Sequence, residues 1–568
     1  VQQTAKPFSA AKGSSTSVSW NISVPEGLQA VVYRITASSG AFSDGEEAAI
    51  PVLTNRMLVT ESLPLPVKDN QQKTFSFDKL LNSGKAGPTL KNHRLSLEFT
   101  SNPVWYAVQA LPYLMEYPYE CAEQLFGRYY ANSLATFIAS SNPKIKQVFD
   151  SWKIVSGDAL KSKLEKNEEL KSVLLQESPW VAEAKNETEQ KERIGILFDL
   201  NRMASEQASA LKKLAEMQYE NGGWPWFKGM PESRYITQHV VSGFAHLADM
   251  KVFNATDNSE TVEMLRKAIT YLDETAQKEF DEIKKNDKDY LKTDHLGTDD
   301  IQYLYARSYF LKAFPLEEAN SEMLNYYLSQ SEKFWNKQNN YLKAMVALYL
   351  NRTGNEKTAG LIMKSLKETA LHSDEMGMYW RNNPQGWFWH QAPVETQAML
   401  IEAFDEVAND RKSVEEMKTW LLKQKQTQNW NTTKATAEAI YALLLRGDDL
   451  LTPGKRVEIT VGAEKVNPDK TDSAKPESGT GYFKTSWDAA SIKPEMGKVT
   501  VINPNPTIAW GAMYWQYFEQ LDRITPAQTP LRVNKKLFRE VNTPTGPVIE
   551  PITESTPVKI GDKVVVRI

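Results

Sequence analysis

The stretch Tyr117-Pro-Tyr-Glu-Cys-Ala-Glu-Gln-Leu-Phe-Gly-Arg128 holds the chain's one cysteine, Cys121, three residues before Gln124. On a helical turn positions i and i+3 share a face. The sulfur and the side-chain carbonyl carbon of Gln124 can therefore meet and join as a thioester, with loss of ammonia. A thioester is an acyl donor, because a thiolate leaves readily: an amine or hydroxyl that attacks the Gln124 carbonyl stays covalently attached. Water would discharge the same bond, so the site needs an apolar shield. Tyr117, Tyr119, Phe126, Tyr129 and Tyr130 are the local candidates. The plainer reading is an inert buried thiol at the start of a helix, among aromatics in ordinary packing. Against it, Glu and Gln at the second and third positions after a single cysteine have chance odds on the order of one in several hundred at ordinary residue usage.

The surrounding elements must hold this turn in place. The first hundred or so residues alternate with period two, as in Ser17 to Val24, Val31 to Ile35 and Arg94 to Phe99, and are punctuated by Pro25-Glu26-Gly27, Ser38-Ser39-Gly40 and Asn82-Ser83-Gly84. This predicts antiparallel strands and turns. From about Val104 to Arg446 the period becomes 3.6, with long segments at Ala204 to Gln218, Thr261 to Lys284, Leu342 to Asn351 and Ala435 to Leu445, which predicts one large helical domain. Strands return at Arg456 to Val461, Gly481 to Trp487, Lys498 to Ile502 and Ile508 to Phe518. Two β half-modules around a helical block are most simply one sandwich with an inserted domain; two unrelated small β-domains are the alternative. Within the block a helix-start motif recurs at roughly 40 to 65 residues, the scale of helical hairpins. Two Gly/Trp-rich loops, Gly222-Gly-Trp-Pro-Trp-Phe227 and Gly386-Trp-Phe-Trp-His390, precede two of these helices and should gather at one end of an α/α toroid. The Pro- and Thr-rich stretch Val541 to Pro557 reads as an extended linker.

Composition narrows the function classes. The chain has 568 residues, 41% hydrophobic and 24% charged, and a formal net charge of −4. That balance offers nucleic acid or anionic lipid no general attraction, and no tract is long and apolar enough to span a membrane. One cysteine excludes a disulfide framework and cysteine-cluster metal sites within the chain. Asp299-Asp300 and Glu232 read as charges at helix starts rather than metal ligands, so neither metal nor cofactor is expected. Fifteen Trp and 23 Tyr suggest aromatic-lined clefts. The start, Val1-Gln2-Gln3-Thr4, carries neither a signal-type pattern nor a methionine, and the end, Lys559 to Ile568, reads as a strand opening a further domain. Both features predict a processed chain or a piece of a longer one.

The segment Pro118-Tyr119-Glu120-Cys121-Ala122-Glu123-Gln124 resembles the signature of the α2-macroglobulin family, Pro-Tyr-Gly-Cys-x-Glu-Gln, with Glu120 where glycine is usual. The resemblance extends from Gly45 to Pro64, like the family's β-segment, to Val394 to Leu400, Trp420 to Lys425 and Trp430 to Thr436, like its late toroid helices. Asn167 to Trp180 looks like an insertion common in the bacterial branch. It implies a mixed multidomain fold. Residues 1–103 would be the first part of a discontinuous antiparallel CUB-like β-sandwich, 104–448 an inserted all-α α/α-toroid thioester domain, 449–530 the second sandwich part, and 531–568 a linker with the truncated start of a macroglobulin-type β-domain. It also implies a single-use protease trap rather than an enzyme, with Cys121 and Gln124 forming the thioester and Glu123 part of the motif. Its expected partners are target proteases, bound covalently through amines or hydroxyls, and the remaining macroglobulin domains of a parent chain. Its expected place is extracytoplasmic, in the periplasm or attached to the envelope of a bacterium, in host defence. Some members redirect the acyl group through a histidine; His295 lies nearest the expected place, with His390 second. Two other readings stay open: a carbohydrate-active α/α-toroid enzyme using the Trp loops and acids such as Glu395, and a structural envelope module that has lost its thioester.

Overall fold

The computed structural model describes residues 5–24, 30–52, 56–68, 70–85, 89–115, 117, 119–141, 147–148, 200–257, 259–374, 376–383, 385–386, 388–424, 430, 432–445, 451, 454–470, 476–505, 507–524, 534–544, 546–558 and 562–568. Several sequence expectations fall outside these residues: the start 1–4, the turn at 25–27, Pro118, the insertion at 167–180, Trp387, Lys425, Asn431 and residues 559–561. By contacts the chain forms two compact units, Val1–Leu58 with Phe518–Ile568, and Val59–Tyr517.

In the first unit, β1 (Ala30–Ser39) and β2 (Phe42–Pro51) form an antiparallel hairpin. Its two-residue turn starts at Gly40 with φ +60°, the left-handed conformation that such turns require. The sequence reading put 1–103 into one sandwich, but among the described residues β1 and β2 pair only with each other, and their side chains are mostly exposed. Residues 17–24 form no strand. Their alternation is real, but no described strand lies alongside to accept the hydrogen bonds. Residues 541–557 are a second correction. Far from being a linker, they supply the end of β13 (Lys536–Thr543) and all of β14 (Gly546–Pro551), which join β15 (Lys563–Arg567) in a three-stranded sheet ordered β14-β13-β15. Thr and Val suit a pleated strand, and the prolines fall at its ends.

The second unit holds two four-stranded sheets. One is ordered β10-β5-β12-β3 and the other β4-β11-β8-β9. They comprise β3 (Arg56–Pro64), β4 (Gln71–Ser76), β5 (Lys91–Thr100), β8 (Glu458–Val461), β9 (Glu464–Lys465), β10 (Phe483–Asp488), β11 (Lys498–Asn503) and β12 (Trp510–Gln520). Each sheet mixes strands from before and after the helical block. Leu95, Leu97, Phe99, Met513 and Trp515 from one sheet and Ile459, Val461, Val499 and Val501 from the other share one apolar core. β12 is buried along nearly its whole length: Trp515 and Tyr517 face that core while Trp510 joins the helical one.

Between the two β half-modules lie twelve helices of two turns or more among the described residues: α1 (Trp105–Met115), α2 (Ala122–Ser141), α3 (Leu200–Met217), α4 (Arg234–Asp249), α5 (Glu260–Asn286), α6 (Thr298–Ser308), α7 (Ser321–Phe334), α8 (Asn340–Arg352), α9 (Glu356–Glu368), α10 (Pro393–Glu406), α11 (Arg411–Lys423) and α12 (Thr433–Leu444). Side chains stop many of them at their starts: Ser233, Ser259, Asn339, Asn355, Asp410 and Thr432 each accept an early helical N–H, a cap worth about 1 kcal/mol apiece. A short hairpin, β6 (Leu371–Ser373) with β7 (Gly377–Tyr379), packs on α11. The even-numbered helices touch in sequence, α2 to α4, α4 to α6, α6 to α8, α8 to α10 and α10 to α12, and α12 returns to α2. Most odd-numbered helices pack outside this closed circuit, α3 on α2, α5 on α4 and α6, α9 on α8, and α11 on α10 and α12. Apolar residues of both sets form one continuous core.

Candidate functional site

The turn that carries Cys121 opens α2. Cys121 is the residue before the first helical position, and its carbonyl accepts from Leu125 N at 2.9 Å. One of the N–H groups that a helix start leaves without an internal partner, that of Ala122, donates to the Trp226 carbonyl at 3.0 Å. The first Gly/Trp loop is thereby tied to the start of α2. Cys121 is a free thiol with 1% of its surface exposed. Burial pushes its pKa up and Glu123 adds to this, while the backbone N–H groups of Gln124 and Glu123 pull the other way by donating toward the sulfur. One turn on, the Oε1 of Gln124 is buried without a hydrogen-bond partner among the described residues.

Glu123 points from α2 toward α12. Its Oε2 lies 4.0 Å from Cys121 Sγ, and its Oε1 accepts from Thr433 Oγ1 at 2.8 Å. Burial raises its pKa, opposed by the Thr433 bond and the Lys434 charge. Lys434 is half-buried with its ammonium nitrogen covered, and that nitrogen has no hydrogen-bond partner among the described residues. It sits 5.4 Å from the ring of Tyr341 and 5.3 Å from that of Trp389, in cation–π range. Burial alone would push it toward the neutral amine, but the acidic groups around it, Glu395 and Glu438 among them, outweigh that and raise its pKa.

The two Gly/Trp loops share a neighbour, Tyr235. Trp226 stacks on Tyr235 at 5.8 Å and Trp389 packs on the same Tyr235 at 5.6 Å. Of the aromatics named as a shield, Phe126, Tyr129 and Tyr130 are buried, their rings meeting one another, Phe244 and His239. Tyr117 joins Tyr113 and Tyr119 edge to edge, and its carbonyl accepts from Arg128 at 2.9 Å. Tyr119 is 64% exposed. Glu120, the departure from the signature glycine, is bound by Lys213 and lies 3.9 Å from Arg128. His295 is not brought to this turn: its Nε2 pairs with Asp287 at 2.9 Å and its backbone N–H donates to Gln330. His390 stacks on Phe388, and its Nδ1 meets Asn339 at 2.9 Å. The histidine beside α2 is His239, edge-on to Phe126. Glu395 is buried inside the circuit of helices.

Behind α2 lies a cavity of about 20 Å³, lined by Glu123, Phe126, Tyr130, His239, His246 and Glu438 among others, enough for one water-sized occupant. Beyond it the polar interior continues. His246 stacks on Tyr441 at 3.8 Å and meets Tyr305 at 2.8 Å; Tyr305 donates to Glu402, which Arg352 also pairs. Burial holds His239 and His246 down at about 3, and it pushes Glu438 up to about 7. Among the described residues no cluster of three or more His, Cys, Asp or Glu is placed to hold a metal ion. Sequence reading missed Thr433, Lys434, Trp226 and His239. The N-cap pattern at Thr432 marks a helix start but gives no sign that the next two residues meet Glu123.

No family model and no curated protein matches the chain. Among solved structures it is similar to native α2-macroglobulin from Escherichia coli, spanning domain MG7 to the C-terminus, at 13% identity and a TM-score of 0.39 over 87% of this chain and 62% of that one. It is also similar to Salmonella α2-macroglobulin reacted with methylamine, at 12% identity and a TM-score of 0.36 over 89% of this chain and 26% of that one, and to trypsin-activated α2-macroglobulin from Escherichia coli, at 11% and 0.39 over 89% and 28%. The chain thus spans less than two thirds of each of these structures.

Proposed function

We propose that this chain is the thioester-bearing fragment of a bacterial α2-macroglobulin-like protease trap. One observation carries the reading: Cys121 and Gln124 sit one helical turn apart at the opening of α2, the thiol buried and the Gln124 carbonyl oxygen buried without a partner among the described residues. Attack of the Cys121 sulfur on the Gln124 side-chain carbon forms the S–C bond, breaks the C–N bond and releases ammonia. Later attack by a protease amine or hydroxyl transfers the acyl group and frees the thiol, so the site works once and is not an enzyme. The closed circuit of α2, α4, α6, α8, α10 and α12 supports an α/α toroid, and the two sheets that draw strands from both sides of it support an interrupted CUB-like sandwich. On this reading the partners are target proteases and further macroglobulin domains, and the setting is the periplasm or envelope of a bacterium. Among the described residues no helix is long and apolar enough to cross a membrane.

Intact-mass measurement with thiol titration tests the proposal. The expected result is a deficit of one ammonia with no reactive thiol, then gain of one methylamine with one thiol appearing, and loss of both effects in C121S. A full-mass wild-type protein with a free thiol that ignores methylamine refutes it.

A further inference from the structure

Glu123 links two groups that the thioester reading leaves unconnected. One carboxylate oxygen faces the Cys121 sulfur at 4.0 Å, and the other is fixed by Thr433 Oγ1 at 2.8 Å. Thr433 and Lys434 stand on the first turn of α12, the helix whose contact with α2 closes the circuit. Lys434 makes no hydrogen bond through its ammonium among the described residues, and its charge bears on Glu123. The side chain next to the reacting pair is therefore aimed and bonded from a different part of the fold, more than a motif spacer requires.

We propose that Glu123 is the proton carrier for the Cys121–Gln124 chemistry, and that Thr433 and Lys434 are the positioning residues that aim it. The inference rests on the thioester reading. In formation, Glu123 Oε2 takes the proton from Cys121 Sγ, and the thiolate adds to Gln124 Cδ. The C–N bond then breaks, and the nitrogen leaves as ammonia with the proton Glu123 returns. In discharge, an incoming amine adds to Cδ and the C–S bond breaks. Glu123 takes the surplus amine proton and delivers it to the departing sulfur. No co-reactant is consumed and the carboxylate ends as it began.

The surroundings suit both halves of that traffic. Burial favours the protonated acid and raises the pKa, while Thr433 and Lys434 oppose it by favouring the carboxylate; a raised carboxylate lies closer to the range in which a proton carrier works. The ionisable groups facing Glu123 are Cys121 on its own helix, Lys434 and Glu438 on α12, His239 and His246 on α4, and Tyr130 across the same cavity. A thiol-to-carboxylate distance of 4.0 Å is long, as such contacts often are before the reacting geometry tightens.

The test compares wild type, E123Q, E123D and T433V as the full chain, matched by Tm and near-UV circular dichroism. Intact mass and thiol titration are followed after methylamine addition across a pH series. We expect E123Q either to retain its ammonia and a free thiol or to discharge on the order of 10²-fold more slowly, the scale of positioned acid–base catalysis, without the wild-type pH inflection. E123D restores part of the rate, and T433V displaces the inflection. An E123Q protein with wild-type extent of thioester and wild-type discharge at every pH overturns the role of Glu123 and leaves the thioester reading standing. If E123Q fails to fold, E123D and T433V decide, and wild-type behaviour in both overturns the proposal. A wild-type chain of full mass with a free thiol overturns the thioester reading and this one with it.

Discussion

Gly243 offers a sharp test of how α2 is seated. It lies within α4, and a Cβ built there falls 2.0 Å from Cε1 and 2.5 Å from Cζ of Phe126, against an ordinary carbon–carbon contact of about 3.5–4.0 Å. The three nearest atoms all belong to that ring, which Phe244 at 5.0 Å, Tyr129 at 6.1 Å and Tyr130 at 6.2 Å between centroids hem in, leaving the cavity of about 20 Å³ that it lines as its room to shift. Overpacking of this kind costs about 1–3 kcal/mol, and the severity of the overlap points to the upper end. Alanine regains about 1 kcal/mol of helix propensity over glycine, so Gly243→Ala should lose about 2 kcal/mol net. Phe126→Ala alone should lose about 3–5 kcal/mol as a core cavity. Once the ring is gone, the three atoms nearest the Cβ at 243 go with it and the propensity gain remains, so in the Phe126→Ala background Gly243→Ala should stabilise by about 1 kcal/mol. The sign reversal amounts to a coupling of about 3 kcal/mol, at the top of the range for residues in contact. Urea unfolding of the four proteins by far-ultraviolet circular dichroism reads it, with Phe126→Leu replacing Phe126→Ala if the latter is too unstable. Effects that add to within about 0.5 kcal/mol, or a neutral Gly243→Ala, would refute the packing argument.

Two further outcomes follow from the same interior. At Gly222, with φ +91°, an added Cβ would lie 2.1 Å from the Lys267 carbonyl oxygen, so Gly222→Ala meets backbone rather than a ring. It should cost more than Gly243→Ala in thermal unfolding and gain nothing from Lys267→Ala; rescue by that truncation would show the obstacle to be a side chain. His246 is held at about 3 by burial, Arg352 and His239, against an ordinary 6.5, so between those values the unfolded chain binds the extra proton and stability falls on acidification. From about pH 7 to pH 5 this single group removes about 2 kcal/mol, even with Glu402 and Glu438 both 3.9 Å away, because Glu402 is committed to Arg352 and two tyrosines and Glu438 is itself near half-protonated at neutral pH. His246→Gln should lose less stability than wild type over that interval by about that amount; equal losses in the two proteins would place the titration elsewhere.

What the sequence made legible was local. Period-two alternation located β1, β5, β10, β11 and β12, the 3.6 period located the helices, and the i to i+3 spacing put Cys121 immediately before α2 and Gln124 on its first turn. The Trp loops were also read as neighbours, and Trp226 and Trp389 do share Tyr235. What failed depended on partners. Ser17 to Val24 alternates as well as β1 does, yet no described strand pairs with it, and Thr- and Pro-rich composition hid β14 because edge strands tolerate proline at their ends. His295 was placed by chain position alone. In space Asp287 holds it on the loop before α6, and the histidine beside α2 comes instead from the first turns of α4.

The deepest omission has a physical cause. A polar residue on an amphipathic helix is normally assigned to water, but α10 is buried from Val394 to Asp405 on every side, and Glu395, Gln397 and Glu402 go inward with the rest. A helix packed against others inside and out has no solvent face, so each inward charge needs a partner from another helix. Glu402 finds Arg352, Tyr305 and Tyr309, and Glu123 finds Thr433, 310 residues away in sequence. No periodicity spans that distance. At the opening of α2 and its partner turn on α12, Gln124 Oε1 and Lys434 Nζ are among the buried polar atoms that find no hydrogen bond among the described residues. Arg307 shows the same pattern, pairing with Asp273 through Nε while its Nη1 stays unpaired among those residues. Which inward polar atoms are satisfied is thus decided by how the helices meet, and not by the run of residues along any one of them.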